Sequence, residues 1–252
     1  MENKKYRTFE IVDGKIKITN AISKFMRFVS STCYFADKEK EEREFIKRCE
    51  VIGYLFSGNY SSRMNVLIFN GNSSAGNGKS LFVKGIGKLL DLYKGFNNYN
   101  GYMNVAGRDN SINKRIDMFK KTIEKLKPSF IHIDDMFKFF DFVNLIAEVN
   151  NYSVSIRHKN EADNYPVVNF IPLIITTNIY IIDIPEFGQE STHRRFYTLH
   201  FGSYYVYNCV TGEFGKELFE NDYSTEEYIQ DLIFCMDCLD FYNDLNADNV
   251  TI

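Results

Sequence analysis

Apolar residues recur along this chain in three rhythms, and each rhythm predicts a different kind of element. Across residues 8–18, TFEIVDGKIKI, apolar and polar positions alternate on both sides of Asp13-Gly14. Alternation about a two-residue Asp-Gly centre predicts a β-hairpin. From about Asn20 to Leu55 the spacing becomes helical. Ile22, Phe25, Met26 and Val29 share one face, and Phe45, Ile46, Cys49, Ile52 and Tyr54 resume an apolar stripe after a charged run over 37–43. That run reads as the solvated face of a helix or as a helical junction. Short unbroken apolar runs follow: 64–69, bounded by Ser61-Ser62 and Asn70-Gly71; 130–133, ending in Asp134-Asp135; and 172–175, ending in Thr176-Thr177-Asn178. Runs of this length between turn residues predict buried strands. Helices are expected from Lys79 to about Tyr93 and from about Ser111 to Lys127, separated by a polar Gly/Asn-rich stretch at about 95–112. Ser224-Thr225-Glu226-Glu227 is a capping-box pattern that opens an apolar-periodic helix to about Leu245. Short buried strands alternating with helices predict an α/β fold with a parallel sheet covered by helices on both faces. A small helical N-terminal region and a C-terminal helix complete it.

Composition narrows the class. With 252 residues, the chain suits one domain or a domain with an appendage, at roughly 150 residues per domain. The expected divisions are an N-terminal hairpin and helical region (1–55), a central unit (56–210) and a C-terminal helical tail (211–252). A hydrophobic fraction of 44% with 16% aromatics supplies a real core and excludes a disordered chain. The formal net charge of −3 gives no global positive field, so any contact with nucleic acid must be local. Cys33, Cys49, Cys209, Cys235 and Cys238 follow no regular spacing, which predicts reduced thiols and a cytoplasmic protein. The opening MENKKYRTFE lacks the apolar core of a signal peptide, and no stretch approaches the ~20 apolar residues that span a bilayer. No membrane partner is expected. Richness in Lys, Asn, Ile, Phe and Tyr, with 4 Pro and no Trp, suggests an AT-rich genome.

The chemistry concentrates at strand ends. Ser73-Ser74-Ala75-Gly76-Asn77-Gly78-Lys79-Ser80 lies between a predicted strand and a predicted helix. It matches the phosphate-binding pattern G-x-x-x-x-G-K-[ST], except that Ser73 stands where the first Gly belongs; Gly71, two residues earlier, is the candidate for the turn. Small residues let backbone N–H groups wrap phosphates, and a helix N-terminus adds its positive dipole. In such a loop Lys79 reaches the β- and γ-phosphates of ATP, and the Ser80 hydroxyl binds Mg²⁺. About fifty residues later the strand ending in Asp134-Asp135 supplies acids where a metal and an attacking water are handled. Asp134 is assigned to the metal and Asp135 to the water, the pair being firmer than its order. Alone, a strand ending in two acids is equally a helix N-cap. Asn178, at the end of the third apolar run, reads as a sensor of the γ-phosphate or the attacking water, although Thr-Thr-Asn also starts ordinary turns.

Taken together, the G-N-G-K-S loop, the apolar strand ending in Asp-Asp and the P-L-I-I-T-T-N strand resemble the superfamily 3 helicases. These are a branch of the P-loop AAA+ ATPases found in viruses, phages and plasmids. The resemblance covers about residues 45–205. In that family a hairpin between the last two motifs carries basic residues into the channel of a ring, and Arg157, His158 and Lys159 occupy that place, with 165–168 as a return strand. An arginine followed by an alternating strand fits Arg195 and residues 196–201, and residues 48–55 look like the lead-in helix of phage and mobile-element primase-helicases. The resemblance implies a hexameric homo-oligomeric ring that uses ATP and Mg²⁺ on single-stranded nucleic acid, with DNA the expected form, during replication of a phage or related element in the host cytoplasm. Arg195, or its neighbour Arg194, acts there as an arginine finger on the next subunit. Ser73 departs from the family pattern. So does the lack of an origin-binding or primase domain in these 252 residues, from which a primase or origin-binding protein on another chain is an expected partner.

Two other functions share the three ATPase motifs. One is an ATPase that loads or remodels proteins, and the other is an assembly protein that binds nucleotide without turnover. Basic residues in the hairpin favour nucleic acid over the first, and the full set of Lys79, Ser80, Asp134, Asp135, Asn178 and Arg195 argues against the second. Cys235-x-x-Cys238 is a lone pair inside a predicted helix and does not read as a zinc site. His132 reads as packed, residues 204–207 as a strand or subunit-interface face, and Phe137, Phe139, Phe140 and Phe142 as the packing of a following helix.

Overall fold

A computed structural model of the chain describes residues 4–12, 15–20, 22–60, 66–71, 76–95, 102–106, 128–136, 171–178 and 196–250. The elements in chain order are β1 (Lys4–Lys5), β2 (Phe9–Val12), β3 (Lys15–Ile18), α1 (Lys24–Ser31), α2 (Lys38–Ser57), β4 (Val66–Gly71), α3 (Lys79–Lys94), β5 (Tyr102–Ala106), β6 (Phe130–Asp134), β7 (Leu173–Thr177), β8 (Phe196–Phe201), α4 (Tyr204–Tyr207), α5 (Val210–Phe214) and α6 (Thr225–Val250).

The chain is α/β. Five strands lie in the order β5-β6-β7-β4-β8, and every neighbouring pair is parallel. All five residues of β7 are buried, as are Leu67, Ile68 and Phe69 of β4. These inner strands are covered on both faces, which is why they appear in sequence as unbroken apolar runs and not as alternation. Helix α3 packs on β4, and α2 packs on β8. In-register pairing sets Val66 opposite both Leu173 and Phe196, and Ile133 opposite Ile175. The polar residues that end β4, β6 and β7 therefore emerge along one edge of the sheet, where α/β folds place their ligands.

Three findings differ from the sequence-based expectation. The Gly/Asn-rich stretch at 95–112 contains a strand, β5, whose pairing with β6 and the stacking of Tyr102 on Phe130 (5.1 Å between centroids) outweigh weak local propensity. Residues 204–207 form one helical turn, α4, and not a strand; Tyr205 is drawn into the core beside Phe28, its ring centroid 5.2 Å away. Helix α6 runs on to Val250, past the expected end near Leu245.

The N-terminal expectations hold in outline. β2 and β3 pair antiparallel from Phe9↔Ile18 to Val12↔Lys15, with a short β1 added on the other side of β2. Asp13 and Gly14, which join them, lie outside the described residues, as do the expected helix at 111–127 and Phe137, Phe139, Phe140 and Phe142. The helical stretch breaks at 32–37. Ser23 caps α1 by accepting from the Met26 amide, and Asp37 caps α2 by accepting from the Glu39 and Lys40 amides. The charged run is thus the cap and first turns of α2. Ser224 and Glu227 form the anticipated reciprocal cap: the Ser224 amide donates to Glu227 (2.6 Å), and the Glu227 amide donates to the Ser224 hydroxyl (3.2 Å).

Helix α6 lies along α2 and binds the small sheet to it. Phe9 meets Phe234 and Phe241 edge-on, while the buried Asp237 carboxylate accepts from the Thr8 amide and hydroxyl, both at 2.7 Å. Cys235 and Cys238 are buried in this seam, where burial pushes both thiols well above their ordinary pKa. Arg48 of α2 is fully buried. Its guanidinium donates to the Thr32 hydroxyl, to Glu44 and, at 2.6 Å, to the His200 carbonyl at the end of β8. Among the described residues no helix is long and apolar enough to cross a membrane.

Candidate active site

Helix α3 begins at Lys79 directly after Gly78, whose backbone takes the left-handed conformation at φ 89°. A side chain at Gly78 would be strained in that conformation. It would also press on the Phe28 ring and the Thr32 methyl, so α1 backs the loop from the N-terminal region. Gly71, the candidate for the turn, ends β4, and residues 72–75 that follow it lie outside the described residues. A Cβ at Gly71 would overlap the Asn77 amide and the Lys79 ammonium, so a bare backbone there is what lets both side chains lie across the end of β4.

Lys79 is buried, 7% exposed, and its ammonium donates to Asn77 Oδ1 at 2.5 Å and Asn178 Oδ1 at 2.6 Å. The Lys79–Asn178 bond joins two predicted site residues that are 99 positions apart in sequence. Burial lowers the Lys79 pKa from 10.5 to about 8, against the opposing pull of Asp135 and Asp134. Asn77 Nδ2 is buried and has no hydrogen-bond partner among the described residues.

Ser80, one residue further into α3, donates to Asp134 Oδ1 at 3.0 Å. The Asp134 side chain remains 37% exposed, so one flank of the carboxylate faces open space. Asp135 turns away from the strand with φ 50°, a left-handed conformation uncommon outside glycine. The end of β7 holds this turn: Asp135 N–H donates to Thr176 Oγ1 (3.2 Å), Met136 N–H to the Thr176 carbonyl (2.9 Å), and Thr177 Oγ1–H to the Met136 carbonyl (3.3 Å). Thr176 Oγ1 also lies 2.9 Å from Asp134 Oδ1 and 3.1 Å from His132 Nε2. His132 is buried, as the sequence suggested, and burial lowers its pKa, which keeps the ring neutral at pH 7.

The fold therefore brings together Asn77, Lys79, Ser80, Asp134, Asp135 and Asn178. Ser73, Ser74 and Ala75 lie outside the described residues, as do the basic residues Arg157, His158 and Lys159 and the arginines Arg194 and Arg195. Thr176 was not singled out from sequence. Its signal was its place in the P-L-I-I-T-T-N strand end two residues before Asn178, where a Thr-Thr-Asn also starts ordinary turns.

Chemically, the cluster can take an anion at the head of α3, a helix of 16 residues, through backbone donors and the Lys79 ammonium. The unpartnered Asn77 amide is a further donor in the same place. Ser80 and Asp134 can hold a divalent cation. Among the described residues no three His, Cys, Asp or Glu side chains gather as a metal cage. A hard cation such as Mg²⁺ that shares phosphate oxygens needs only one or two carboxylates, so this donor set suits it.

Set against models of known protein families, the chain matches none. A comparison with curated proteins likewise finds no match.

Proposed function

We propose that the chain is an ATP- and Mg²⁺-dependent ring helicase or translocase of the superfamily 3, P-loop AAA+ type, acting on single-stranded nucleic acid in replication of a phage or related mobile element. One observation carries the reading. Residues from three separate sequence motifs meet through direct hydrogen bonds at one edge of the parallel sheet, Lys79 with Asn178 and Ser80 with Asp134.

In this reading the α3 N-terminus, Asn77 and Lys79 bind the β- and γ-phosphates. Bound Mg²⁺ supplies charge neutralisation on the phosphate oxygens. Ser80 and Asp134 hold the cation, and Asp135 orients water and takes its proton as water oxygen attacks the γ-phosphorus and the bond to the β–γ bridging oxygen breaks. Asn178 shares Lys79 with the phosphate and reports whether a γ-phosphate is present. Arg195 or Arg194 of a neighbouring subunit completes the site, and Arg157, His158 and Lys159 follow the nucleic-acid backbone. Lysine contacts of that kind are sensitive to salt and carry no sequence information.

The test is the ATPase rate with and without single-stranded DNA, with Lys79→Ala as the control for contaminants. Turnover that rises with DNA and vanishes in the variant is expected, and Lys159→Ala should keep the basal rate while losing stimulation and unwinding. Lysine-dependent turnover indifferent to DNA and RNA would instead identify an ATPase that remodels proteins. No turnover at any protein concentration would leave a nucleotide-binding assembly protein.

A further inference from the structure

We propose that Thr176 is the positioning residue of the acidic pair, its single hydroxyl fixing where Asp134 and Asp135 stand; this rests on the reading of those two residues as the cation- and water-handling acids. The case is a count of protons. A threonine hydroxyl donates one hydrogen bond and accepts two. Among the described residues four groups surround Thr176 Oγ1: Asp134 Oδ1 at 2.9 Å, His132 Nε2 at 3.1 Å, Asp135 N at 3.2 Å and the Ile133 carbonyl at 3.5 Å. The Asp135 amide can only donate, so it takes one lone pair. The carboxylate can only accept and is closer than the carbonyl, so it takes the proton. The second lone pair then accepts from His132, which assigns the hydrogen of that ring to Nε2. His132 Nδ1, buried and without a hydrogen-bond partner among the described residues, is the bare nitrogen this tautomer requires.

The hydroxyl is thereby saturated, and each of its bonds fixes something different. Its proton holds Asp134 Oδ1, which also accepts from Ser80, and leaves Oδ2 clear of both. Its lone pair holds the Asp135 amide in the left-handed turn that carries that side chain away from the strand. Thr176 is 1% exposed, so water does not replace it when it is removed. Orienting partners behind a cation-holding carboxylate commonly change metal affinity or activity about 10- to 100-fold.

Thr176→Val keeps the shape and removes the hydroxyl, while Thr176→Ser keeps the hydroxyl and removes the methyl. Two measurements decide. The first is hydrogen exchange of the Asp135 amide in the ligand-free protein. The second is Mn²⁺ affinity, read by electron paramagnetic resonance with a non-hydrolysable ATP analogue present. In Thr176→Val the amide is expected to exchange about tenfold faster, as for the loss of one hydrogen bond. Mn²⁺ affinity is expected to fall about 10- to 100-fold, with metal-free analogue binding unchanged. Thr176→Ser is expected to keep both near wild type. Unchanged exchange or unchanged Mn²⁺ affinity in the valine variant overturns the proposal, as does a serine variant that behaves like valine. Wild-type protein that binds no Mn²⁺ with the analogue sinks the proposed function, and the exchange of the ligand-free variants then decides Thr176 alone.

Discussion

Lys79 carries its charge where burial works against it, and that sets a pH dependence. Its pKa in the folded chain is about 8, against an ordinary value of 10.5. Between those values the unfolded chain keeps a proton that the folded protein has released, so this residue raises stability as pH climbs through the window, and below it the buried charge opposes folding. In the proposed function nucleotide binding runs the other way, because phosphate needs the ammonium. Affinity for an ATP analogue should therefore be flat below pH 8 and fall about tenfold per unit above it, with proton uptake on binding, a linkage that titration calorimetry in two buffers reads directly. An affinity constant from pH 7 to 9.5 would show that Lys79 does not govern phosphate capture. Lys79 was legible in sequence as a candidate from the Gly-Lys-Ser context. Its pinning between Asn77 and Asn178 was not, because Asn178 comes from a strand 99 positions away.

At the scale of elements, Arg48 shows what the helical pattern concealed. By composition it belongs to the charged population of α2, yet its guanidinium is fully buried over the Phe201 ring, 4.5 Å from the centroid. It binds α2 to the residue following α1 and to the end of β8, and Glu44 adds a second tie by accepting from the His200 amide at 2.8 Å. Replacing Arg48 with Met leaves the buried Glu44 with Lys47, 3.1 Å away and 40% exposed, as its remaining counter-charge and strips the Thr32 and His200 oxygens of their donor, and losing one partner of a buried pair costs about 3–5 kcal/mol. A melting midpoint lower by roughly 10 °C is expected; a shift below a degree or two would mean that Arg48 is dispensable. Helices α1 and α2 and strands β4, β6 and β7 could be placed from periodicity because they bury long apolar faces or unbroken runs, whereas β8, only partly buried, was expected from the family resemblance alone. Strand β5 and the turn at α4 could not. Tyr102 and Tyr205 find their partners, Phe130 and Phe28, at a distance in sequence, and local propensity holds no record of those contacts.

For the molecule as a whole, the proposed ring makes hydrolysis a property of neighbours. Mixing two inactive variants, Lys79→Ala and Arg195→Ala, should restore part of the ATPase rate, because a mixed interface can pair an intact loop with an intact finger. Arg195→Ala alone should bind nucleotide at wild-type affinity and lose about 10³-fold or more in turnover. If mixing recovers nothing while Arg194→Ala mixtures do, the finger is Arg194; if neither does, the trans arrangement is wrong. The sequence by itself determined the fold class and the chemical types at the site, since buried-strand runs, capping patterns and the G-N-G-K-S loop are all local. The tertiary structure decided how those types combine: Lys79 bridged to Asn178, Ser80 to Asp134, Thr176 beneath both acids, and the backing of the loop by α1. The physical reason is that hydrogen bonds and close packing depend on distances in space, and only the parallel register of β4, β6 and β7 brings the ends of three distant segments within reach.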